Sequence, residues 1–425
     1  MKKRLWLTVM LAATTGSFAQ TNVVLTWEQC LEKAQAHNPD LVAARAAIRE
    51  LEYGVTSASA GFLPSISARA SGTYGQNENS EEWTDTKNSS ASLNLEQDLF
   101  TGGGNVAKRG RALAQLEIGR AQYRKTLSDV EYVLRLAYID VLYAQELIKL
   151  TEQIEKRRAA NVRLIQLRFD GGRENAGSLA RTKAQYSQAV YESREAKREL
   201  EYALRNLAAA IGLMKPVDGA VGELTALSPE ELEDLESLMK QTPDYSIAVT
   251  QVEAAEQGLN VTRSSRFPQV SFSASAGIGD GSGFERYDAN WRIGLSASVP
   301  LFTGGQLSSD IAAAKEQIIQ TEMDLIDTGN SLMVTLQQRW NDYVNAVENE
   351  AVQNELYQAE MLRAEISTAK YKQGLLSYED WDTIESNVIA QGKTHLQRRR
   401  AAARAEASWK NALGLSVWQT IEKGE

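Results

Sequence analysis

The stretch LFTGG stands at positions 99–103 and returns at 301–305, and these two copies decide the fold. Each copy follows a run in which apolar and polar residues alternate, and each precedes a long proline-free run, 104–169 and 306–371. Two successive glycines accept left-handed backbone conformations that other residues avoid, which suits a sharp change of chain direction. The repeated stretch therefore predicts that a strand passes into a very long helix twice in this chain.

Three more pairs of matching motifs indicate that the whole chain is an internal duplication. They keep the same order in each half: NPD at 38–40 and TPD at 242–244, FLP at 62–64 and RFP at 266–268, IGL at 211–213 and LGL at 413–415. The duplication predicts a first repeat at 20–213, a linker at 214–228, a second repeat at 229–415 and a C-terminal tail at 416–425.

The first residues have the pattern of a secretory signal peptide. A basic start at 2–4 precedes an apolar stretch at 5–13, and the small residues at 17 and 19 are typical of a cleavage site. We therefore expect a signal peptide at 1–19. Neither this stretch nor any later one has the ~18 uninterrupted apolar residues of a membrane-spanning helix. Contact with a membrane is expected only through β-strands or at its surface.

Each repeat contains two runs with the period of a strand. The four predicted strands are 64–76, 88–100, 268–279 and 290–302, with polar loops at 76–88 and 279–290. Their length suits a tilted membrane strand of roughly 10 residues, although a soluble sandwich gives the same alternation. Four strands cannot close a barrel, because the smallest barrels have about eight. If these strands lie in a membrane, several chains must share one barrel.

Each repeat then continues as a long helical hairpin, at 103–211 and at 306–413. In the first long helix the apolar residues recur in steps of four and three along two adjacent stripes. Two stripes imply a neighbour on both sides, as in a ring of helices.

Together these features resemble the TolC-like outer-membrane channel family over essentially the whole mature chain. The resemblance implies a mainly α protomer with β, in which four strands contribute to a 12-stranded barrel shared by a homotrimer. The barrel continues as a tunnel of long helices, or α-barrel, through the periplasm. Members dock on a periplasmic adaptor and an inner-membrane pump of the RND or ABC type.

The implied function is a passive duct in the outer membrane, serving a tripartite efflux or type I secretion system and energised by the pump. No enzymatic activity and no cofactor are expected. A structural periplasmic coiled-coil protein with a soluble β-cap remains the alternative, and a secreted enzyme is disfavoured because no nucleophile–base pair is visible.

The resemblance also places a gate at the tip of the second hairpin. The family motif has an acidic residue six positions after the glycine of Tyr-x-x-Gly and another three positions further on. Tyr371, Gly374 and Asp380 match this motif, but the second acidic position is Thr383. Leu376 stands where some relatives have a basic residue.

Two nearby carboxylates, Glu379 and Asp382, are candidates to supply the missing gate charge. A ring of carboxylates favours cations and binds polyvalent ones. In the alternative interpretation, Glu379 and Asp380 only stabilise the positive end of the following helix.

Glycines and one proline complete the predicted sites. The helix-tip turns are Gly171, Gly172 and Gly374, and the barrel-to-tunnel junctions are Gly102, Gly103, Gly304, Gly305 and Pro300. The glycines after Phe100 are not a nucleotide loop, since no βαβ unit follows them.

Charge and composition exclude other classes of function. A net charge of −9 disfavours nucleic-acid binding. The single cysteine, Cys30, cannot form a disulfide within the chain and is expected to be a packing residue. The only histidines, His37 and His395, have no partner at metal-ligand spacing, so no metal site is expected.

Two surface clusters stay open to two interpretations. The arginines at 398–400 with Arg404 form either a solvated helix face or an adaptor contact. Tyr74, Trp83, Tyr287 and Trp291 near the strand ends suit an interfacial girdle or packing within loops.

Overall fold

The computed structural model describes residues 24–79, 82–232, 234–280 and 288–422. The helices are α1 Trp27–His37, α2 Pro39–Ser59, α3 Gly104–Asp170, α4 Ala176–Ile211, α5 Leu235–Gln241, α6 Pro243–Ser264, α7 Gln306–Lys372, α8 Tyr378–Ala412 and α9 Val417–Glu422. The strands are β1 Val24–Leu25, β2 Ser65–Asn79, β3 Glu82–Phe100, β4 Gly219–Ala220, β5 Gln269–Asp280 and β6 Asp288–Ser298. The predicted signal peptide and Tyr287 lie outside the described residues, as does the side chain of Trp83.

The main sheet is antiparallel in the order β2-β3-β5-β6, with β2 and β6 at its edges. One cross-strand row is apolar: Ile66, Leu95, Ala274 and Ile293. The next row is polar: Ser67, Asn94, Ser275 and Arg292. Because side chains alternate along a strand, the sheet has one apolar and one polar face. The apolar face is uncovered, and Trp291 is 77% exposed there.

The first hairpin corrects one sequence prediction. The described residues of the predicted loop at 76–88 lie in strands, because β2 and β3 continue pairing as far as Asn79 and Glu82. Ladder hydrogen bonds join backbone groups and need no apolar side chains, and here Gln76 Nε2 also donates to Asp85 across the strands at 2.9 Å. At the other hairpin, β6 ends at Ser298, short of the predicted 302, because Pro300 has no N–H for the ladder.

The two long helices start at the paired glycines. Gly102 and Gly103 have φ of 61° and 84°, and Gly304 and Gly305 have φ of 61° and 89°. These left-handed conformations turn the chain from strand into helix. Helices α3 and α7 have 67 residues each, which corresponds to roughly 100 Å at 1.5 Å per residue. None of the helices in the described ranges is long and apolar enough to cross a membrane.

The long helices lie in two rows of four. Toward the tips the order of packing is α4-α3-α8-α7, and toward the sheet it is α2-α3-α6-α7. Helix α3 therefore has neighbours on both sides, as its two apolar stripes predict. Helix α7 is at the edge of both rows, and it carries exposed apolar side chains along its length: Ile319, Ile326, Val334, Val352 and Leu362.

The largest core lies midway along the helices. Leu134, Val141 and Leu207 are buried there, and so is Cys30, which is a packing residue as predicted. The predicted linker contributes to this core, because β4 pairs in parallel with β1. The predicted tail also joins it through Trp418 of α9, which is 1% exposed.

Candidate functional site at the helix tips

Both helical hairpins reverse through glycine turns at the same end of the molecule. Gly172 has φ of 66° and Gly374 has φ of 80°, whereas Gly171 has an ordinary negative φ. Asn175 and Ser377 then cap α4 and α8, their side chains accepting hydrogen bonds from backbone N–H groups of the first turn. The predicted tip glycines thus lie at the turns, and two of the three need the left-handed conformation.

Tyr371 joins the two tips. Its ring is 1% exposed and stacks on Trp381 with 4.7 Å between centroids. Its hydroxyl group donates a 2.7 Å hydrogen bond to Glu174 Oε2 in the first tip. The guanidinium of Arg168 lies over the Tyr371 ring, 4.4 Å from the ring centroid, and donates a hydrogen bond to the Tyr371 carbonyl. Burial and the Glu174 carboxylate raise the pKa of Tyr371, so its phenol keeps the proton that it donates.

Asp380 and Glu379 are exposed at the start of α8. The Asp380 N–H donates to Ser377 Oγ at 3.1 Å, and Ser377 Oγ donates to Asp380 Oδ2 at 2.7 Å. Thr383 is exposed one turn later on the same face of the helix. These carboxylates therefore stabilise the helix end and also face solvent, so both interpretations of the sequence are compatible with the geometry.

Asp382 has a different environment from its neighbours. It is 3% exposed, and its Oδ2 forms an ion pair with Arg181 Nε at 2.8 Å. Gln185 Nε2 donates to Oδ1 at 3.0 Å, and Arg158 NH1 lies 3.8 Å from it. Two cations thus compensate this carboxylate inside the protomer, on the side of α8 that faces α3 and α4.

A second buried ionic group lies one turn further along α8. Glu385 is 1% exposed and receives two 2.7 Å hydrogen bonds from Arg157, one to each carboxylate oxygen. Asn161 and Thr368 also donate to it. Burial by itself would raise the pKa of Glu385, but the hydrogen bonds and charge of Arg157 outweigh burial and lower it. Glu385 is therefore ionised at neutral pH and ties α8 to α3.

The sequence interpretation missed Glu174, Arg168 and this Glu385 group. The sequence of α3 does contain a pattern that indicates the buried polar contacts. Arg158 and Asn161 continue the apolar stripe of α3 between Ile154 and Ile165, and all four residues are buried. Polar residues in an otherwise apolar stripe indicate a polar contact with the partner helix.

The arginine cluster of α8 is mostly paired, which corrects the expectation of a solvated face. Arg399 bonds Glu146 of α3, and Arg400 and Arg404 both contact Asp140 at 2.9 Å. Only Arg398 is exposed. Carboxylates at matching heights of α3 hold the other three arginines against that helix.

A known protein family matches this chain over most of its length. The sequence model described as "Outer membrane efflux protein" matches residues 30–213 and 235–415. This chain belongs to the outer membrane efflux protein family. The two matched segments end at 213 and 415, where the two predicted repeats end, and begin inside those repeats.

Individual relatives have low sequence identity to this chain, but the matched regions cover most of both proteins. The chain is 22% identical to the outer membrane efflux protein BepC of Brucella suis over 342 residues, covering 80% of this chain and 74% of BepC. It is 23% identical to the outer membrane protein TolC of Escherichia coli over 373 residues, covering 81% and 73%. The crystal structure of the Campylobacter jejuni CmeC outer membrane channel has a TM-score of 0.80 at 15% identity, covering 93% and 88%. The fold is therefore that of the long-helix channels.

Proposed function

We propose that this efflux-family chain is one third of a passive duct, which leads from the periplasm through the outer membrane and is driven by a partner pump. One observation carries the proposal: a sheet with an uncovered apolar face and two open edges passes directly into helices of roughly 100 Å. An apolar sheet face suits lipid, whereas open edges do not, because unpaired backbone groups are costly in hydrocarbon.

Closure with other copies removes those edges. Three chains supply 12 strands if each gives the four of the main sheet. The β6 edge of one chain then pairs with the β2 edge of the next, and this pairing is antiparallel as elsewhere in the sheet. The apolar faces turn to lipid and the polar faces line the pore.

The helical part supports the same homotrimer. Helix α7 ends both rows of helices and leaves apolar side chains such as Val334 and Leu362 exposed, at 69% and 60%. In a ring, the opposite edge formed by α2 and α4 of the next copy covers them. Such burial is favourable by about 25 cal/mol per Å² of apolar surface.

The tips form the periplasmic mouth in this proposal. Asp380 and Glu379 of three copies surround the opening and favour cations there, while Tyr371 and Glu174 hold the two tips of each copy together. Asp382 stays paired inside the protomer. A periplasmic adaptor docks at this end, and an inner-membrane pump of the RND or ABC type supplies the energy.

Outer-membrane fractions separate this proposal from a periplasmic coiled-coil protein with a soluble β-cap. The duct requires detergent for extraction and migrates as a trimer on gels until it is heated. Full release into the soluble fraction without detergent would contradict the duct and favour the coiled-coil protein.

A further inference from the structure

The polar face of the main sheet carries two arginines at adjacent heights. Arg292 of β6 lies in one cross-strand row with Ser275, Asn94 and Ser67, and Arg69 of β2 lies in the next row outward with Ser92, Gly277 and Asn290. Successive rows on one face are about 7 Å apart along the strands. The remaining side chains of both rows are small or neutral, so they leave the guanidinium groups uncovered.

Neither arginine is compensated by a carboxylate. Within the part of the chain that the structure describes, Arg69 and Arg292 are both exposed and have no ion-pair partner. The carboxylates of the same face lie in other rows. Glu96 and Asp98 are one and two rows nearer the helices than Arg292, and Asp288 is one row further out than Arg69. The middle of the polar face is therefore basic, although the chain as a whole has a net charge of −9.

We propose that Arg69 and Arg292 form a basic belt inside the barrel, and that this belt binds carboxylate or phosphate groups of anionic cargo on its way out. The belt rests on the proposed function, since the polar face lines a pore only when three sheets close. Three copies then bring six guanidinium groups to two adjacent heights. Guanidinium is the side chain best suited to carboxylate and phosphate oxygens, because its N–H groups form a planar fork.

The belt is separated from the acidic mouth by the whole length of the helices. Asp380 and Glu379 lie at the tips of helices that are roughly 100 Å long. Charges so far apart do not cancel, because salt screens them beyond about 8 Å at physiological ionic strength. Anions that have passed the tunnel therefore meet an attractive zone only near the exit.

Block of single channels by inorganic tripolyphosphate tests the belt. The probe is added on the side of the bilayer where the barrel opens, so that it need not pass the tips. We expect reversible block of the native channel, and about tenfold more tripolyphosphate for half-block in the double variant Arg69→Gln/Arg292→Gln. The double variant Arg69→Lys/Arg292→Lys keeps the charge and should stay within about threefold of the native channel.

Lys87→Gln is the matched control. Lys87 is exposed, but it pairs with Tyr74 and so projects from the opposite, apolar face of the sheet. The Lys87→Gln variant should need the same tripolyphosphate concentration for half-block as the native channel. Native channels that tripolyphosphate does not block, or glutamine variants blocked as strongly as native, would overturn the belt while leaving the duct intact. Absence of any channel would instead contradict the proposed function.

Discussion

The hydroxyl group of Tyr371 donates a 2.7 Å hydrogen bond to Glu174, so the tip of the second helical hairpin is held to the tip of the first. Tyr371 also stacks on Trp381, and Arg168 donates to its carbonyl. The contact thus fixes both the ring and the backbone at the end of α7. An opening movement that separates the tips must break it.

Tyr371→Phe and Glu174→Gln should both open the channel. A hydrogen bond to a charged group contributes about 1.5–3 kcal/mol, so its loss should shift the balance of closed and open states about tenfold or more. Single-channel recording should show more frequent or larger openings. Tyr191→Phe is the control, because the Tyr191 hydroxyl bonds only Glu195 of the same helix. Equal conductance in all three variants would mean that this hydrogen bond does not restrain the tips.

Asp380→Ala should raise single-channel conductance or weaken block by polyvalent cations. In the proposed trimer, three copies of this exposed carboxylate would attract such cations to the mouth. Thr383→Asp makes the opposite change, adding a further exposed carboxylate one turn along α8 from Asp380, and it should strengthen the block. If Asp380→Ala alters neither property, Asp380 does not line the constriction.

Glu385→Gln should destabilise the helical part of the protein. Arg157 keeps its charge without a carboxylate partner, but its side chain is 39% exposed and partly hydrated, so the cost should lie below the about 3–5 kcal/mol of a fully buried pair. Thermal loss of helical circular dichroism in detergent measures the effect. Glu365→Gln, at an exposed position of α7, should have no effect. Equal melting temperatures of Glu385→Gln and Glu365→Gln would show that the ion pair of Glu385 adds little stability.

The same pair predicts a dependence on pH. Since Arg157 lowers the folded-state pKa of Glu385 below its ordinary value, the pair stabilises the protein above the ordinary carboxyl pKa. That contribution falls as the pH drops below about 4 and through the lowered pKa. The melting difference between native protein and Glu385→Gln should therefore be full at pH 7 and shrink under acid. A difference that grows on acidification would contradict this assignment.

Gly102→Ala should impair folding more than Gly304→Ala. Both glycines have φ of 61°, so a side chain is strained at either position by roughly 1–2 kcal/mol. At Gly102 an added Cβ would also lie 2.5 Å from the Ser264 carbonyl oxygen, whereas at Gly304 it meets nothing within 4 Å. The yield of heat-modifiable trimer compares the two variants. Equal yields would show that the Ser264 contact can relax.

The repeated motifs made the architecture predictable. Proline and glycine act through their own backbone, so Pro39, Pro243 and the LFTGG copies mark helix starts and junctions whatever their surroundings. The ends of the first hairpin were less predictable. Gln76 and Asp85 look like loop residues in the sequence, yet they continue the ladder because each strand pairs through its backbone.

The tip contacts were only partly predictable for a related reason. Tyr371, Gly374 and Asp380 could be named because they share one short motif. Glu174 is a partner of Tyr371 only through the packing of two hairpins, and nothing in its own neighbourhood of the sequence indicates that. Asp382 and Asp380 are two positions apart and look equivalent, but helical geometry turns one toward Arg181 and the other toward solvent.

Recording from purified protein in planar lipid bilayers tests the central claim most directly. If three copies form one duct, the detergent-extracted trimer should insert and give discrete conductance steps of uniform size, and heat-dissociated protein should give none. If the pure trimer leaves the bilayer conductance unchanged, and the Tyr371→Phe variant also gives no conductance steps, three copies do not form a duct.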